Sequence, residues 1–304
     1  MRYKTWVTVE SSCSELLDLK WVLSSPPLLQ AQSGHDVIDT TAVFESPESI
    51  DEAHFKNWCE GLEPRRRIRL GLYFEDLILY AIQHLSAYQL LAHDIQVFKD
   101  AQTIGAFDFI VRAPDGETEH WEAAIKFFLQ SEPTDGWAAW IGPNGRDSLH
   151  RKMTKMLGRQ IHLSDHLEAQ STLAELKIPT PTRKRILSKG ILFQPHFERG
   201  WPIAQAAHPA QPKGRWMRVI PFLSYLDEFG QDSFWKLRLR PDWMACVQAQ
   251  SSDQLYTTAQ LKGVLHGHTR AIMLSEIHPD GCEFHEVHRW FVLAETWPHP
   301  QLEH

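Results

Sequence analysis

The sequence has few cysteines and no long apolar run. Its four cysteines are Cys13, Cys59, Cys246 and Cys282, which lie far apart and form no Cys-x-x-Cys pair. We therefore expect reduced thiols in a cytoplasmic protein and no disulfide framework. No apolar stretch approaches the ~18 residues of a membrane span, and the first residues do not read as a signal peptide. A membrane partner is not expected.

Positive charge is also scarce. The 304 residues include 31 Lys and Arg against 38 Asp and Glu, which gives a net charge of −7. No global field therefore favours nucleic acid, and a polyanion site would need a local basic patch. The composition is otherwise that of a soluble globular protein, long enough for one large domain or two smaller ones.

Several common catalytic motifs are missing. The segment Gly142–Gly145 is not a phosphate-binding loop, because no Gly-Lys-Ser/Thr follows it. No Ser/His/Asp or Cys/His arrangement stands out. The tryptophans that follow residue 197 could stack on nucleobases, but packing in a core is the more ordinary use of such side chains.

Two apolar segments separated by a turn dominate the middle of the chain. Phe107–Val111 and Trp121–Leu129 flank a Pro-Asp-Gly turn at residues 114–116, which predicts two strands joined by that turn. Successive strand residues point to opposite faces. Both faces of the second strand are largely apolar, which is typical of a central strand covered by helices.

Three charged residues interrupt these strands. They are Asp108, Glu122 and Lys126, at positions where a buried strand favours Val. Charged groups are costly to bury without partners. We therefore expect these side chains either to form a site or to pair with one another.

The flanking segments complete an α/β pattern. Residues 69–92 show a helical apolar stripe with Glu75 beside it, and Ile95–Phe98 predicts a short strand. A second helix is expected from Asp147 or Ser148 to about His166, followed by a strand at Gly190–Phe193. The order from residue 69 to 193 is helix, three strands, helix and strand, which predicts an α/β core.

We divide the chain where its residue composition and pattern of predicted elements change. Residues 1–66 are expected to form a partly helical extension, 67–196 the α/β core, and 197–301 a mixed α/β region, with 302–304 as a tag remnant. Within the core, the second helix has a basic flank consisting of Arg151, Lys152, Lys155 and Arg159. This flank is either a solvated face or a rail for a phosphate backbone. Gln160 falls on the apolar side of the same predicted helix.

Four short segments carry a family resemblance: Gly71–Glu75, Gly105–Phe109, His120–Leu129 and Ile141–Asp147. They resemble the bacterial family DUF1853, and this resemblance covers most of the chain. Over about residues 69–195, the pattern also resembles the PD-(D/E)XK nuclease superfamily. That second resemblance implies a restriction-endonuclease-like core, in which a mixed central sheet is flanked by helices, with N-terminal helical and C-terminal mixed additions.

The nuclease resemblance implies a set of functional residues. Glu75 corresponds to the acid of the first helix, Asp108 to the strand ligand and Lys126 to the catalytic lysine, with Glu122 as a further catalytic and metal-binding carboxylate. Gln160 corresponds to a residue that orients the site in related exonucleases. The implied cofactor is Mg²⁺ or Mn²⁺, since these ions prefer hard oxygen ligands. The implied partner is nucleic acid, DNA in preference to RNA.

The sequence departs from the superfamily pattern beside the lysine. Ala124 stands two residues before Lys126, where an acid is usual, and Glu122 lies four residues before it. The Cα atoms of Glu122 and Lys126 should be roughly 13 Å apart, against roughly 7 Å at the usual spacing. Three hypotheses remain: a metal-dependent nuclease, a nucleic-acid-binding or complex-assembly protein without cleavage, and an ion-paired core.

Overall fold

The computed structural model describes residues 11–31, 36–62, 69–198, 200–228, 230–249, 251–252, 255–281 and 283–298. These residues form both helices and strands. The helices are α1 (Ser11–Ser24), α2 (Thr40–Val43), α3 (Glu52–Glu60), α4 (Leu70–His84), α5 (Leu149–Gly158), α6 (Leu167–Glu175), α7 (Val219–Glu228) and α8 (Thr258–Leu265). The strands are β1 (Asp36–Val37), β2 (Gln89–Lys99), β3 (Gln102–Arg112), β4 (Thr118–Gln130), β5 (Trp140–Ile141), β6 (Arg183–Pro195), β7 (Lys213–Arg218), β8 (Phe234–Arg238), β9 (Gln248–Ala249), β10 (Tyr256–Thr257), β11 (Ile272–Asp280) and β12 (Glu283–Leu293). The proposed tag remnant at 302–304 lies outside these residues.

The described strands form one mixed sheet of 12 strands. Its main path runs in the order β10, β8, β11, β12, β7, β6, β4, β3, β2, with β1, β5 and β9 paired at its sides. Parallel pairs join β4 to β6, β6 to β7 and β7 to β12, while β2, β3 and β4 are antiparallel. The predicted mixed α/β fold is therefore confirmed. The same sheet continues from the predicted core into the C-terminal segment.

Strand β4 is covered on both faces, as its apolar pattern predicts. On one face, Trp121 and Leu129 are fully buried in a cluster that includes residues of α1, α3 and α4. On the other face, Ala124 and Phe128 pack in a second cluster against Met153 and other residues of α5. Full burial of a large apolar side chain stabilises the fold by roughly 1.5–3 kcal/mol. These two layers fix the position of β4 between the helices.

Helix α4 contains the predicted apolar stripe but is shorter than expected. The stripe residues Leu70, Phe74, Leu77, Ala81 and Leu85 are all buried. The helix ends at His84, and the apolar residues that follow it belong to β2. From Gln89 onward, the backbone forms hydrogen bonds with β3 instead of continuing the helix. Strand pairing thus outweighs the helical periodicity of these apolar residues.

Helix α5 is also shorter than predicted. Ser148 is its N-cap, accepting a hydrogen bond from the Arg151 backbone N–H, and the helix ends at Gly158. A 3₁₀ helix at Gln160–Asp165 follows it. Gly158 has a low intrinsic helix propensity, about 1 kcal/mol below that of Ala. The α-helical spacing that put Gln160 on the apolar side is therefore wrong.

Gly190 allows β6 to approach β4 directly opposite Lys126. The two residues are register partners in the parallel ladder. Gly190 has a φ of +146°, and a Cβ built on it would lie 1.8 Å from the Lys126 carbonyl oxygen. Only glycine fits this position, because both the backbone conformation and the space exclude a side chain.

Replacing Gly190 with Ala should therefore displace β4 at Lys126. We expect the free energy of unfolding to fall by roughly 3 kcal/mol or more, since neither backbone can yield easily. Gly263 in α8 is the matched control, because a Cβ there meets nothing within 4 Å. Urea unfolding of both variants measures the difference. A Gly190→Ala variant as stable as Gly263→Ala would contradict this description of the β4–β6 contact.

Candidate functional site

The candidate site lies where β3 separates from β4. Their antiparallel ladder ends at the pair Phe109–Trp121. At the next position Asp108 contributes its side chain instead of its backbone, and its Oδ2 accepts a hydrogen bond of 2.8 Å from the Ala123 N–H. β5 pairs with β4 again only at Leu129 and Gln130. A carboxylate thus lies at an open stretch of the central strand.

The Asp108 carboxyl group is held in an environment that disfavours its charge. Burial raises its pKa from 3.8 to about 7, and the nearby charge of Glu122 adds to this effect. The Ala123 N–H and Lys126 oppose the shift. The charge of Glu122 is therefore near enough to influence the ionisation of Asp108.

Glu122 is buried together with His120. The His120 Nε2 and Glu122 Oε1 atoms lie 3.1 Å apart, and both side chains are almost fully excluded from solvent. Burial raises the pKa of Glu122 to about 8 and lowers that of His120 to about 4. Burial thus favours the neutral form of both groups, in which their contact is a hydrogen bond. Lys155 and Lys126 favour the ionised form of Glu122.

Lys126 lies on the same face of β4, next to several charged groups. Its pKa is lowered, first by burial and then by the charge of Lys152. The carboxylates of Asp147, Asp108 and Glu75 oppose this shift. In the part of the chain that the structure describes, the Lys126 amine forms no ion pair. The carboxylates of Glu75 and Asp108 thus influence the Lys126 amine electrostatically, but neither forms a salt bridge with it.

Asp147 is a member of this cluster that sequence reasoning missed. One of its oxygens accepts hydrogen bonds from the Ser148 N–H at 3.0 Å and from Arg151 at 2.9 Å. The other lies 3.1 Å from the Lys152 amine. Asp147 ends the Ile141–Asp147 segment that carries the family resemblance, which was a signal of a functional role. It was interpreted instead as a candidate N-cap of α5, a role that Ser148 performs.

Asp94 and His120 were missed as well. Asp94 lies between the register pairs His93–Phe109 and Ile95–Phe107, at the level of Asp108, and has a φ of +51°, which is uncommon outside glycine. Its charge also raises the pKa of Asp108. No sequence signal marks Asp94, because its approach depends on how β2 pairs. His120 could have been suspected from its alternation with Glu122.

The basic flank of α5 borders the cluster. Arg151 and Lys152 contact Asp147, so part of their charge is locally compensated. Lys155 is exposed and acts on Glu122, whereas Arg159 is exposed at the helix end. Gln160 is half-buried at the start of the 3₁₀ helix. Its role as a supporting residue stays a prediction.

Comparison with known families agrees with the resemblance of the four segments. The family "Domain of unknown function (DUF1853)" matches residues 17–293. The chain belongs to the DUF1853 family. No curated protein and no solved structure matches it. The site described above lies entirely inside the part of the chain that DUF1853 covers.

The donor set of this DUF1853 chain consists of scattered carboxylates. Among its described residues, no three His, Cys, Asp or Glu side chains are grouped closely enough to hold a metal ion. Two of the predicted donors, Asp108 and Glu122, have raised pKa values. None of the described helices is both long and apolar enough to cross a bilayer.

Proposed function

We propose that this chain is a metal-dependent nuclease with a variant PD-(D/E)XK site. The observation that carries the proposal is that Asp108, at the open stretch of β4, lies within electrostatic range of both Glu122 and Lys126. Two carboxyl groups with raised pKa values and an amine with a lowered one, on neighbouring strands, are an arrangement suited to catalysis. An ion-paired core would instead bring the amine into contact with an acid.

Mg²⁺ or Mn²⁺ fits the side chains that the site offers. Both ions prefer oxygen ligands, and Mg²⁺ is commonly held by one or two carboxylates together with water and substrate phosphate. Asp108 and Glu122 would hold the ion, with Glu75 as a further acid. A positive charge there would favour ionisation of both carboxyl groups and relieve their mutual repulsion. When bound, such an ion polarises the scissile phosphate.

The protein groups have distinct roles in this proposal. Lys126, with its lowered pKa, would position the attacking water or accept its proton. The Ala123 N–H fixes the Asp108 carboxyl group, and His120 fixes that of Glu122. These contacts orient the two acids before substrate arrives, which is how an active site avoids reorganisation during the reaction.

The exposed basic flank of α5 would guide the nucleic-acid backbone. Replacing Lys155 and Arg159 with Gln should weaken DNA binding and lower the slope of log affinity against log salt by about 0.9 for each phosphate that the flank no longer neutralises. Anisotropy measurements with labelled DNA in EDTA test this. Lys20→Gln combined with Lys56→Gln is the control, because both residues lie on the helices that cover the opposite face of the sheet. Equal slopes for wild type and flank variant would contradict the proposed rail.

Cleavage of labelled single-stranded and duplex DNA and RNA, with Mg²⁺, Mn²⁺ or EDTA, tests the proposed function. We expect activity with the ions, with DNA preferred over RNA, and none with EDTA. Asp108→Ala and Lys126→Ala should both abolish it. No cleavage of any substrate by the folded wild-type protein would overturn the proposal.

A second candidate function is nucleic-acid binding or complex assembly without cleavage. Ala124 favours it, because its side chain packs in the apolar cluster with Met153 and Phe128, where a nuclease of this superfamily would carry an acid. Binding without cleavage in the experiment above would support this candidate. Restoring the usual spacing by Ala124→Glu would then be informative, although that change puts an acid into an apolar cluster and should lower stability.

A further inference from the structure

A cavity lies away from the carboxylate cluster, at the carboxyl end of β6. It has a volume of about 860 Å³ and includes the end of β6, the start of β7 and His288 of β12 in its wall. Gln194, which lines it, donates a hydrogen bond of 2.9 Å to the Gln130 side chain at the end of β4. The cavity therefore adjoins the strand that carries Lys126.

Two cations in this cavity are not neutralised. Lys213 is exposed, and Arg215 is half-buried. In the described part of the chain, neither forms an ion pair. Arg289, by contrast, is buried and bonded to Glu286 and to backbone carbonyls, so its charge is already used. Lys213 and Arg215 outnumber the one carboxylate in the wall, the exposed Glu198, and remain available for an anion.

Aromatic side chains form another part of the wall. Phe197 is 61% exposed, and Trp201 is half-buried beside it in the cavity. Arg215 is held over the ring of Trp290, 5.7 Å from its centroid, which limits the directions that its guanidinium can take. An exposed Phe and a Trp in a cavity with free cations match the features by which proteins bind single-stranded nucleic acid, because bases stack on the rings and phosphates contact the cations.

We propose that this cavity binds an unpaired nucleotide segment of the substrate, so that the preferred substrate is single-stranded DNA or a duplex with a single-stranded end. A base would stack on Trp201 or Phe197, and its phosphate would contact Lys213 and Arg215. The bases of a continuous duplex are paired and stacked, and so could not use these rings. The proposal rests on the proposed nuclease function for its link to cleavage, but not for binding itself.

The position of the cavity suits this role. Pro195 lies five residues beyond Gly190, the register partner of Lys126, on β6. The cavity is therefore roughly 16 Å from the candidate site along the strand direction, at the usual rise per residue. A segment of a few nucleotides could contact both places.

Binding of a short labelled oligothymidylate in EDTA tests the inference. Trp201→Leu should weaken binding about tenfold, whereas Trp201→Phe should retain most of it because a ring remains. Lys213→Gln should weaken binding and lower the salt slope by about 0.7, the value for one phosphate of a single strand. Lys56→Gln, an exposed lysine on α3, should match wild type. Circular dichroism shows whether each variant is folded.

Several outcomes would overturn the inference. One is wild-type affinity in both Trp201→Leu and Lys213→Gln. Another is equal competition by inorganic phosphate or polyglutamate, which would indicate a site for anions in general or for an acidic peptide. If binding depends on Trp201 and Lys213 but no cleavage occurs with Mn²⁺, the nuclease proposal fails and this inference stands. If wild type cleaves and both variants cleave and bind as well as wild type, the nuclease proposal stands and this inference fails.

Discussion

Replacing Lys126 with Met should abolish cleavage and make the fold more stable. The rate should fall by roughly 10²- to 10⁴-fold, as expected for the loss of a group that positions or deprotonates water. The free energy of unfolding should rise by about 1 kcal/mol or more, because a desolvated amine without an ion-pair partner is replaced by an apolar chain of similar length. Loss of function with a gain in stability is the pattern expected of an active-site residue.

The stability gain should depend on pH in a defined direction. The folded-state pKa of Lys126 is lowered from 10.5, so the unfolded chain binds its proton more readily than the folded chain does. The resulting destabilisation is complete below the folded pKa and disappears as pH rises to about 10.5. The stability advantage of Lys126→Met should therefore be larger at neutral pH than at alkaline pH. Urea unfolding at neutral and alkaline pH measures it.

Lys236 on β8 provides the matched control. Burial lowers its pKa too, and the charge of Arg238 adds to that shift. Lys236→Met should therefore raise stability in the same direction and leave cleavage unchanged. If Lys126→Met instead unfolds more readily than wild type, Lys126 serves an ion-paired core and the catalytic role is wrong.

A second large effect is expected from pH and divalent ions at Asp108 and Glu122. Their folded-state pKa values, about 7 and about 8, lie well above the ordinary 3.8 and 4.5. Between about pH 4 and pH 8, the folded chain thus binds more protons at these groups than the unfolded chain, so stability falls as pH rises. A tenfold change in proton affinity corresponds to roughly 1.4 kcal/mol, so each group should contribute several kcal/mol, and partial exposure of Asp108 should reduce its share.

Asp108→Asn and Glu122→Gln should each remove that residue's share of the fall in stability as pH rises. Between pH 5 and pH 8, the stability of each variant relative to wild type should rise by roughly 2–4 kcal/mol. Mn²⁺ should stabilise the wild type more at pH 8 than at pH 5, because it binds the ionised carboxylates of the folded chain. It should have little effect on either variant. Unfolding curves at both pH values, with and without Mn²⁺, provide the measurement.

Asp18 of α1 is the control that separates the effect of burying a carboxyl group from the effect of binding a metal ion. Burial raises its pKa to about 7 as well, and it accepts hydrogen bonds from the Ala245 N–H and the Tyr73 hydroxyl. Asp18→Asn should therefore show the same direction of pH dependence but keep the wild-type response to Mn²⁺. An identical Mn²⁺ response in Asp108→Asn and Asp18→Asn would contradict a metal site at Asp108.

Local pattern was enough to predict the centre of the fold. The alternation in Trp121–Leu129 predicted a strand with two apolar faces, and the stripe from Leu70 to Leu85 predicted the helix that covers one of them. Both features depend on short-range periodicity, which is visible in one sequence. The presence of strands after residue 197 was also predicted. That they extend the same sheet was not, because it depends on long-range pairing of β6 with β7 and of β7 with β12.

Three residues of the candidate site could be predicted because a charge breaks an apolar strand, and Glu75 because it stands beside a helical apolar stripe. Asp108, Glu122 and Lys126 were found that way, whereas Asp94 and Asp147 were not, because they lie in segments where charged residues are common. Asp94 comes near Asp108 through the β2–β3 register, and Asp147 comes near Lys126 through the loop before α5. Gln160 illustrates the opposite error: helical spacing was extended past Gly158, where the α-helix ends.

In the proposed nuclease, the variant spacing of the acid is linked to His120. Glu122 lies four residues before Lys126, and its buried carboxyl group is 3.1 Å from the His120 ring. The residue at the usual acid position, Ala124, is instead part of the contact between β4 and α5. We therefore regard the displaced acid and its histidine partner as one unit, which His120→Phe should disrupt by leaving the Glu122 carboxyl group without that hydrogen bond.

The decisive measurement is manganese-dependent cleavage under single-turnover conditions, compared between wild type and Asp108→Asn. We expect wild type to cleave labelled single-stranded DNA and EDTA to stop the reaction. Asp108→Asn should be slower by roughly 10²-fold or more while folding at least as stably. Equal rates in the two proteins, or a folded wild type that binds Mn²⁺ and DNA without cleaving, would contradict a metal-dependent active site at Asp108.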